Sequence, residues 1–226
     1  PVRWMRTAAA GLLLLAPWGP PPLRAQTPEL RRALDAFRDT VEAVTDLAVL
    51  REMESSLLEE ARRRRDDAVL HIRLGYVALQ QGDLGANGQY DAAASEFTWA
   101  TQLSSQWPYG WYALGLAEYA LGAREGGDRN NRPVLARDAW VRASQAFARA
   151  ATLEPAFAPR LEELARRAFR ERVPEEAVVV REALRRAVLE ARGSRSARLL
   201  LALGRVQREM GDTEALASLE TYFASG

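Results

Sequence analysis

Few residues in this chain have side chains suited to catalysis or metal binding. The 226 residues include no cysteine and a single histidine, His71. The missing cysteines exclude disulfide scaffolds, thiol catalysis and thiolate-bound metals, and one histidine cannot form a histidine metal cluster or a catalytic pair. The sequence also lacks a glycine-rich phosphate loop, a Gly-x-Ser-x-Gly elbow and an HExxH motif. We therefore expect no enzymatic activity, no cofactor and no metal site.

The remaining titratable residues have structural interpretations. His71 lies between apolar neighbours, so we interpret it as a core histidine with hydrogen-bonded ring nitrogens rather than as a ligand or base. Neighbouring residues on a helix point about 100° apart, so adjacent acids are interpreted as solvated or helix-starting groups, not as catalytic pairs. Such pairs occur at Glu59–Glu60, Asp66–Asp67, Glu162–Glu163 and Glu175–Glu176.

Charge gives no sign of a nucleic-acid partner. The chain has 31 basic residues, all arginine, and 30 acidic residues. Residues 1–25 contain three of the arginines and no acid, so the rest of the chain has 28 basic and 30 acidic side chains. A polyanion-binding protein needs a clear positive excess. The basic run from Arg62 to Arg65 is followed at once by Asp66, and it suits a helix C terminus.

The N-terminal segment has the pattern of a secretory signal peptide. A basic start near Met5 is followed by an apolar run over residues 8–16, a proline-rich stretch and Ala25. The apolar run is shorter than the roughly 20 residues that span a bilayer. We expect a start at Met5, a signal peptide over residues 1–25 cleaved after Ala25, and a periplasmic or secreted protein without a stable membrane span. A permanent N-terminal anchor is the alternative.

The composition of the remaining chain favours helices over sheets. Ala, Leu, Arg and Glu dominate, and there is one isoleucine. Thr27 followed by Pro28 predicts a helix start, and Asp46 predicts another. We expect two helices over residues 26–66 that cap one end of an all-α fold.

From residue 67 onward the chain repeats a pattern of helix, glycine-containing turn and helix. Three first helices share one spacing: His71-x2-Leu74-Gly75, Trp111-x2-Leu114-Gly115 and Leu200-x2-Leu203-Gly204. Two second helices share another: Ala93-x3-Phe97-x2-Ala100 and Ala143-x3-Phe147-x2-Ala150. Small residues in these patterns let two helices approach closely, and large residues fill the space between pairs. We expect Gly115 to face Ala143 at such a crossing.

These residues resemble the tetratricopeptide repeat, whose pattern is W-x2-L-G-x2-Y followed by A-x3-F and P. The resemblance implies a right-handed α-solenoid of antiparallel helix pairs, with about three and a half pairs over residues 67–226. The third pair, over 158–191, is degenerate, and the fourth ends inside its second helix. The repeat tyrosine is replaced by Ala78, Glu118, Ala168 and Gln207. The chain is also similar to the front part of secreted repeat proteins that end in a Gly-Trp-x-Thr-Asp domain, although that motif is absent here.

The resemblance implies that the first helices line a concave groove. Residues one, five, eight and nine places after His71 or Trp111 share one helical face, which we assign to this groove. In the third and fourth pairs the same places are counted from Leu161 and Leu200. The candidate partner-binding residues are Tyr76, Gln80, Tyr109, Tyr112, Tyr119, Arg166, Phe169, Arg170, Arg205 and Arg208. In the alternative interpretation the tyrosines pack against the preceding pair, the arginines are solvated, and the insertion from Arg124 to Asn131 is a surface loop.

We expect an extracytoplasmic scaffold that binds a protein or peptide segment in this groove. Tyrosine and arginine are frequent in binding hot spots, and arginine binds carboxylates. The expected partner therefore carries apolar or aromatic groups together with acidic groups. Two alternatives stay open: the interaction arm of a larger protein whose functional C-terminal domain lies outside this chain, or a structural spacer.

The export hypothesis predicts a mature N terminus at Gln26. After expression in a Gram-negative host, we expect N-terminal sequencing of the periplasmic protein to start at Gln26. Recovery of an uncleaved chain in the membrane fraction would contradict cleavage and favour the anchored alternative.

Overall fold

The fold is all-helical, as expected from the composition. A computed structural model describes residues 27–127, 131–191 and 195–224, so the predicted signal peptide lies outside the described residues. These ranges form ten α-helices and one short 3-10 helix and contain no strand. The helices are α1 Pro28–Glu42, α2 Leu47–Arg63, α3 Ala68–Asp83, α4 Gln89–Leu103, α5 Pro108–Gly126, α6 Pro133–Leu153, the 3-10 helix Pro155–Phe157, α7 Ala158–Arg170, α8 Pro174–Glu190, α9 Arg195–Glu209 and α10 Ala215–Ala224. None of these helices is both long and apolar enough to cross a membrane.

The first helices begin where polar side chains satisfy their free backbone N–H groups. The Thr27 hydroxyl accepts the Leu30 N–H at 3.2 Å, and the Asp46 carboxylate accepts the Ala48 N–H at 2.8 Å. The Asp67 carboxylate caps α3 in the same way, since it accepts a hydrogen bond from the Val69 N–H at 2.9 Å. Both predicted N-terminal helix starts are therefore confirmed.

Glycines let the two helices of a pair approach closely. A side chain at Gly75 would overlap the Phe97 ring, and one at Gly115 would overlap the Phe147 ring. Gly204 lies in the same way against Leu219 in the last pair. We expected Gly115 to face Ala143, but the group that fills the space above it is Phe147. Ala143 is fully buried one helical turn earlier. The aromatic ring thus replaces the missing side chain of the glycine.

The helix pairs do not all pack alike. Each of α3, α5, α7 and α9 packs on the next helix along the chain, and α4 packs on α5. At the next junction α6 packs mainly on α8, while the 3-10 helix lies between α6 and α7. The first helix of the third pair, α7, is therefore joined to the second pair differently from the way α5 is joined to the first.

The N-terminal helices have different positions. Helix α2 packs on α3, where Leu50 and Val77 form a small buried cluster together with Val41 of α1. Helix α1 also inserts Leu34 into the large core that extends as far as Val206. We expected the two N-terminal helices to cap one end of the fold. The contacts of α1 extend beyond α3, because Arg31 lies over the Phe157 ring of the 3-10 helix and Asp35 pairs with Arg160 of α7.

The close crossing gives a prediction about Gly115. We expect Gly115→Ala to destabilise the fold by about 1–3 kcal/mol through overpacking, and Phe147→Ala to destabilise it by about 3–5 kcal/mol through a cavity. The double variant should lose less than the sum, because the new methyl group enters the space that the ring leaves. Urea unfolding of the three variants measures this coupling.

Gly110 of the same helix provides the control. The nearest group to a side chain added there is the Thr101 methyl, at an ordinary 3.5 Å. Gly110→Ala should therefore leave stability unchanged or raise it by up to about 1 kcal/mol. Equal losses in Gly110→Ala and Gly115→Ala would contradict the packing argument.

Candidate functional site

The structure brings three predicted groove tyrosines together but covers them. Tyr76, Tyr109 and Tyr112 are 2%, 1% and 6% exposed. The Tyr76 hydroxyl donates to the Tyr109 hydroxyl at 3.2 Å, and Tyr109 donates to the Asp35 carboxylate of α1 at 3.0 Å. The Tyr112 ring packs on Phe157 with ring centres 5.1 Å apart. In the structure these tyrosines have little surface open to a partner, and Tyr109 is bound by Asp35 of α1.

Asp35 is the main polar contact between α1 and the helix pairs. Both terminal nitrogens of Arg160 bind its two carboxylate oxygens, at 2.9 and 2.6 Å. Partial burial acts to raise the pKa of Asp35, but the hydrogen bonds and charge of Arg160, with the Tyr109 hydroxyl, outweigh burial and lower this pKa. Arg160 also lies over the Phe157 ring, 5.3 Å from its centre. Sequence reasoning assigned no role to Asp35 or Arg160.

Two further contacts fix the ends of α1. Near its start, Arg31 pairs with Glu154 at 2.6 Å. At its end, the side-chain amide of Gln80 donates to the backbone oxygens of Val44 at 2.8 Å and Glu42 at 3.2 Å. Gln80, a predicted groove residue, is therefore buried against the chain's own N-terminal segment. We call Tyr76, Gln80, Tyr109, Glu154, Phe157 and Arg160 the α1-binding surface.

The predicted arginine-rich end consists largely of ion pairs. Arg166 binds Glu163 at 2.6 Å, and it also contacts Glu209 of α9 at 3.4 Å. Arg170 binds Glu163 at 2.9 Å, and Arg205 lies 3.5 Å from Glu162. Arg208 is exposed, and Phe169 is half-buried against the core. The cationic charge of Arg166, Arg170 and Arg205 is thus balanced by glutamates of α7 and α9.

The part of α7 that faces α5 and α1 differs from the predicted one. Arg160 contacts Asp35 and lies over the Tyr112 ring, while Leu164 and Arg167 share a cavity with Tyr119. The spacing rule assigned Arg166 and Phe169 to the groove instead, because it matched Leu161 to Trp111. A 3-10 helix precedes α7, and the third pair lacks the Trp-x2-Leu-Gly pattern of the second pair.

An open cavity of about 610 Å³ lies beyond the C-terminal end of α1. Parts of α3, α5 and α7 and the turn between α3 and α4 form its walls. Its apolar lining includes Leu79, Leu116, Ala120, Ala123 and Leu164. Its polar lining includes Glu42, Asp83, Tyr90, Tyr119, Arg124, Arg167, Glu171 and Glu176. Tyr119 is the predicted groove residue that lines this cavity.

The cavity has more carboxylates than cations around it. Burial raises the pKa of Glu176, and the hydrogen bond from the Tyr119 hydroxyl opposes this only in part. Burial likewise raises the pKa values of Glu42 and Asp83. One of the two arginines at the cavity, Arg167, is paired with Glu171 at 2.8 Å. In each case burial is the largest cause of the raised pKa, and the neighbouring arginines and hydroxyl groups offset it only in part.

His71 is hydrogen-bonded as expected. Its Nδ1 lies 2.7 Å from the Glu96 carboxylate and its Nε2 lies 3.0 Å from the Arg65 backbone oxygen. The ring is half-buried rather than in the core, and it stacks near Trp99, whose side chain is largely exposed. Both nitrogens therefore have partners within the chain.

No family model, curated protein or solved structure matches the chain in comparisons with known proteins. The tetratricopeptide resemblance and the similarity to Gly-Trp-x-Thr-Asp proteins thus stay predictions from the sequence. The α1-binding surface and the open cavity are the two candidate binding regions of the described residues.

The raised pKa of Glu176 predicts an unusual pH dependence. A carboxyl whose pKa is higher in the folded than in the unfolded chain stabilises the fold more as pH falls through the folded pKa. Glu176→Gln should therefore be more stable than the natural chain at pH 7, and the difference should vanish near pH 3, where the acid is neutral in both states. Urea unfolding across this pH range measures it.

Glu175 supplies the matched control, since it is the adjacent carboxyl in the first turn of α8 and is exposed. Glu175→Gln should change stability by less than about 0.5 kcal/mol at any pH. The same pH profile for both variants would show that burial of Glu176 is not the cause.

Proposed function

We propose that the chain is a right-handed α-solenoid of tetratricopeptide-like helix pairs that binds a peptide segment of another protein outside the cytoplasm. The repeat spacing and the packing of successive helix pairs support the architecture. The signal-peptide pattern of residues 1–25 supports the location. In this architecture α3, α5 and α7 form the concave side, on which both α1 and the open cavity lie.

The observation that carries the binding proposal is the open cavity itself. Its volume of about 610 Å³ is within the range of ligand sites and would accommodate one or two large side chains. Half-buried Leu79, Leu116 and Leu164 provide apolar contact area beside the Tyr119 ring. With apolar walls and a few polar groups, the cavity could bind a large side chain of a peptide segment.

The charges favour a basic group on the partner. From the sequence we expected an acidic group that meets free arginines. Arg166, Arg170 and Arg205 are already paired with glutamates, whereas the cavity has four carboxylates against two arginines. We therefore propose that the bound segment places an apolar or aromatic side chain in the cavity and an arginine or lysine near Glu176 and Asp83.

Leu116→Arg tests the proposal. The substitution fills the cavity and places a cation beside Glu176, so binding of a partner captured by the natural chain from periplasmic extract should fall at least about tenfold. Leu135→Arg on the exposed side of α6 is the control and should bind like the natural chain. Quantitative mass spectrometry after cross-linking, followed by titration of the captured partner, measures the effect. Equal capture by both variants would contradict the proposed site, and capture of nothing specific would favour a spacer.

A further inference from the structure

Helix α1 has the features of a bound helix. Its apolar residues Leu30, Leu34, Phe37 and Val41 follow the spacing with which amphipathic helices enter grooves. Only Leu34 and Val41 are fully buried among its 15 residues. Arg31 and Asp35 add contacts with the 3-10 helix, α5 and α7, because Arg31 lies over the Phe157 ring and Asp35 binds Tyr109 and Arg160.

The α1-binding surface is complementary to α1 in charge as well as in shape. Arg160 forms a bidentate ion pair with the Asp35 carboxylate. This geometry favours a carboxylate over other side-chain groups at this position. Four residues earlier, Arg31 meets Glu154 at 2.6 Å. The surface therefore selects a basic residue and an acidic residue one helical turn apart on the same helix.

The connection to α2 would allow α1 to leave while α2 stays on α3. Residues 43–46 between the two helices form a turn at Ala43 and are otherwise without regular structure. Leu50 of α2 packs with Val77 of α3, so this contact is made without α1, whereas Val41 of α1 would leave the same cluster. A released α1 would leave Arg160 and Tyr109 without their acidic partner, so release is favourable only when another helix takes its place.

We infer that α1 is an intramolecular ligand of the α1-binding surface, and that a partner helix with the same pattern displaces it. This inference deepens the proposed function, since it names the class of partner for the covered part of the concave side. The partner helix carries the pattern Leu-Arg-x2-Leu-Asp-x-Phe-x3-Val, or equivalents with large apolar residues at the same positions. Because α1 is tethered, its effective concentration at the surface is in the millimolar range, which keeps weak competitors out.

A peptide in trans tests the inference on the full chain. The probe is a synthetic, fluorescein-labelled peptide with the sequence of residues 27–46, measured by fluorescence anisotropy. Asp35→Ala in the chain weakens the binding of its own α1 to the α1-binding surface, whereas the probe keeps its aspartate. The probe should therefore bind this variant at least about tenfold more tightly than the natural chain. No tighter binding by a folded Asp35→Ala chain would overturn the inference.

Two controls accompany this titration. Asp39→Ala alters an exposed carboxylate of the same helix that pairs only locally, with Arg38 at 2.9 Å, and it should bind the probe like the natural chain. A probe with Asp35 replaced by Asn should lose most of its affinity for the Asp35→Ala chain, since Arg160 then lacks a carboxylate. Equal affinity of the two probes would show that binding occurs elsewhere.

Hydrogen exchange of the unaltered chain provides a second measurement that needs no substitution. At saturating probe, the amides of α1 should exchange faster while those of α2 keep their protection. If the probe binds and the exchange rates of the α1 amides do not change, the proposed displacement of α1 is wrong. The proposed function would survive that result if Leu116→Arg still reduced partner capture, because the open cavity does not require α1 to move.

Discussion

The carboxylate of Asp35 connects parts of the chain that are more than a hundred residues apart. Arg160 binds it with both terminal nitrogens and Tyr109 donates its hydroxyl to it, so α1 is fixed across the first helices of the second and third pairs. Loss of either charge would leave the other partly buried and unpaired, which costs more than an exposed ion pair contributes. The position of α1 in turn determines which tyrosines are covered and where the open cavity begins.

The cavity results from the way the third helix pair joins the second. Helix α6 packs on α8, and α7 follows the 3-10 helix, so α5 and α7 contribute to the walls of a space that α1 reaches only with its last residue, Glu42. Glu176 at the start of α8 lines this space and is desolvated there. The two parts of the concave side therefore differ chemically. In the covered part Arg160 can bind a carboxylate, and in the open part carboxylates such as Asp83 and Glu176 can bind a cation.

The sequence pattern was most informative where the repeat is regular. Gly75 and Gly115 were identified as close-approach positions, and the structure places the rings of Phe97 and Phe147 against them. The third pair was less predictable, because it lacks the Trp-x2-Leu-Gly pattern and follows a 3-10 helix. The spacing rule assigns Arg166 and Arg170 to the groove, and the structure pairs both with Glu163. Arg160 contacts α1 and Arg167 lines the open cavity, and the spacing rule assigns neither of them to the groove.

The sequence by itself determined the helical class, the helix starts at Thr27 and Asp46, and the glycine crossings, because caps and close-approach residues act over a few positions or within one pair. Only the tertiary structure decided that α1 lies over the tyrosines and that Asp35 meets Arg160. In the sequence, Asp35 and Arg160 look like any other charged residues on the polar side of a helix. Their contact depends on how several helix pairs stack between them, and no local pattern encodes that distance.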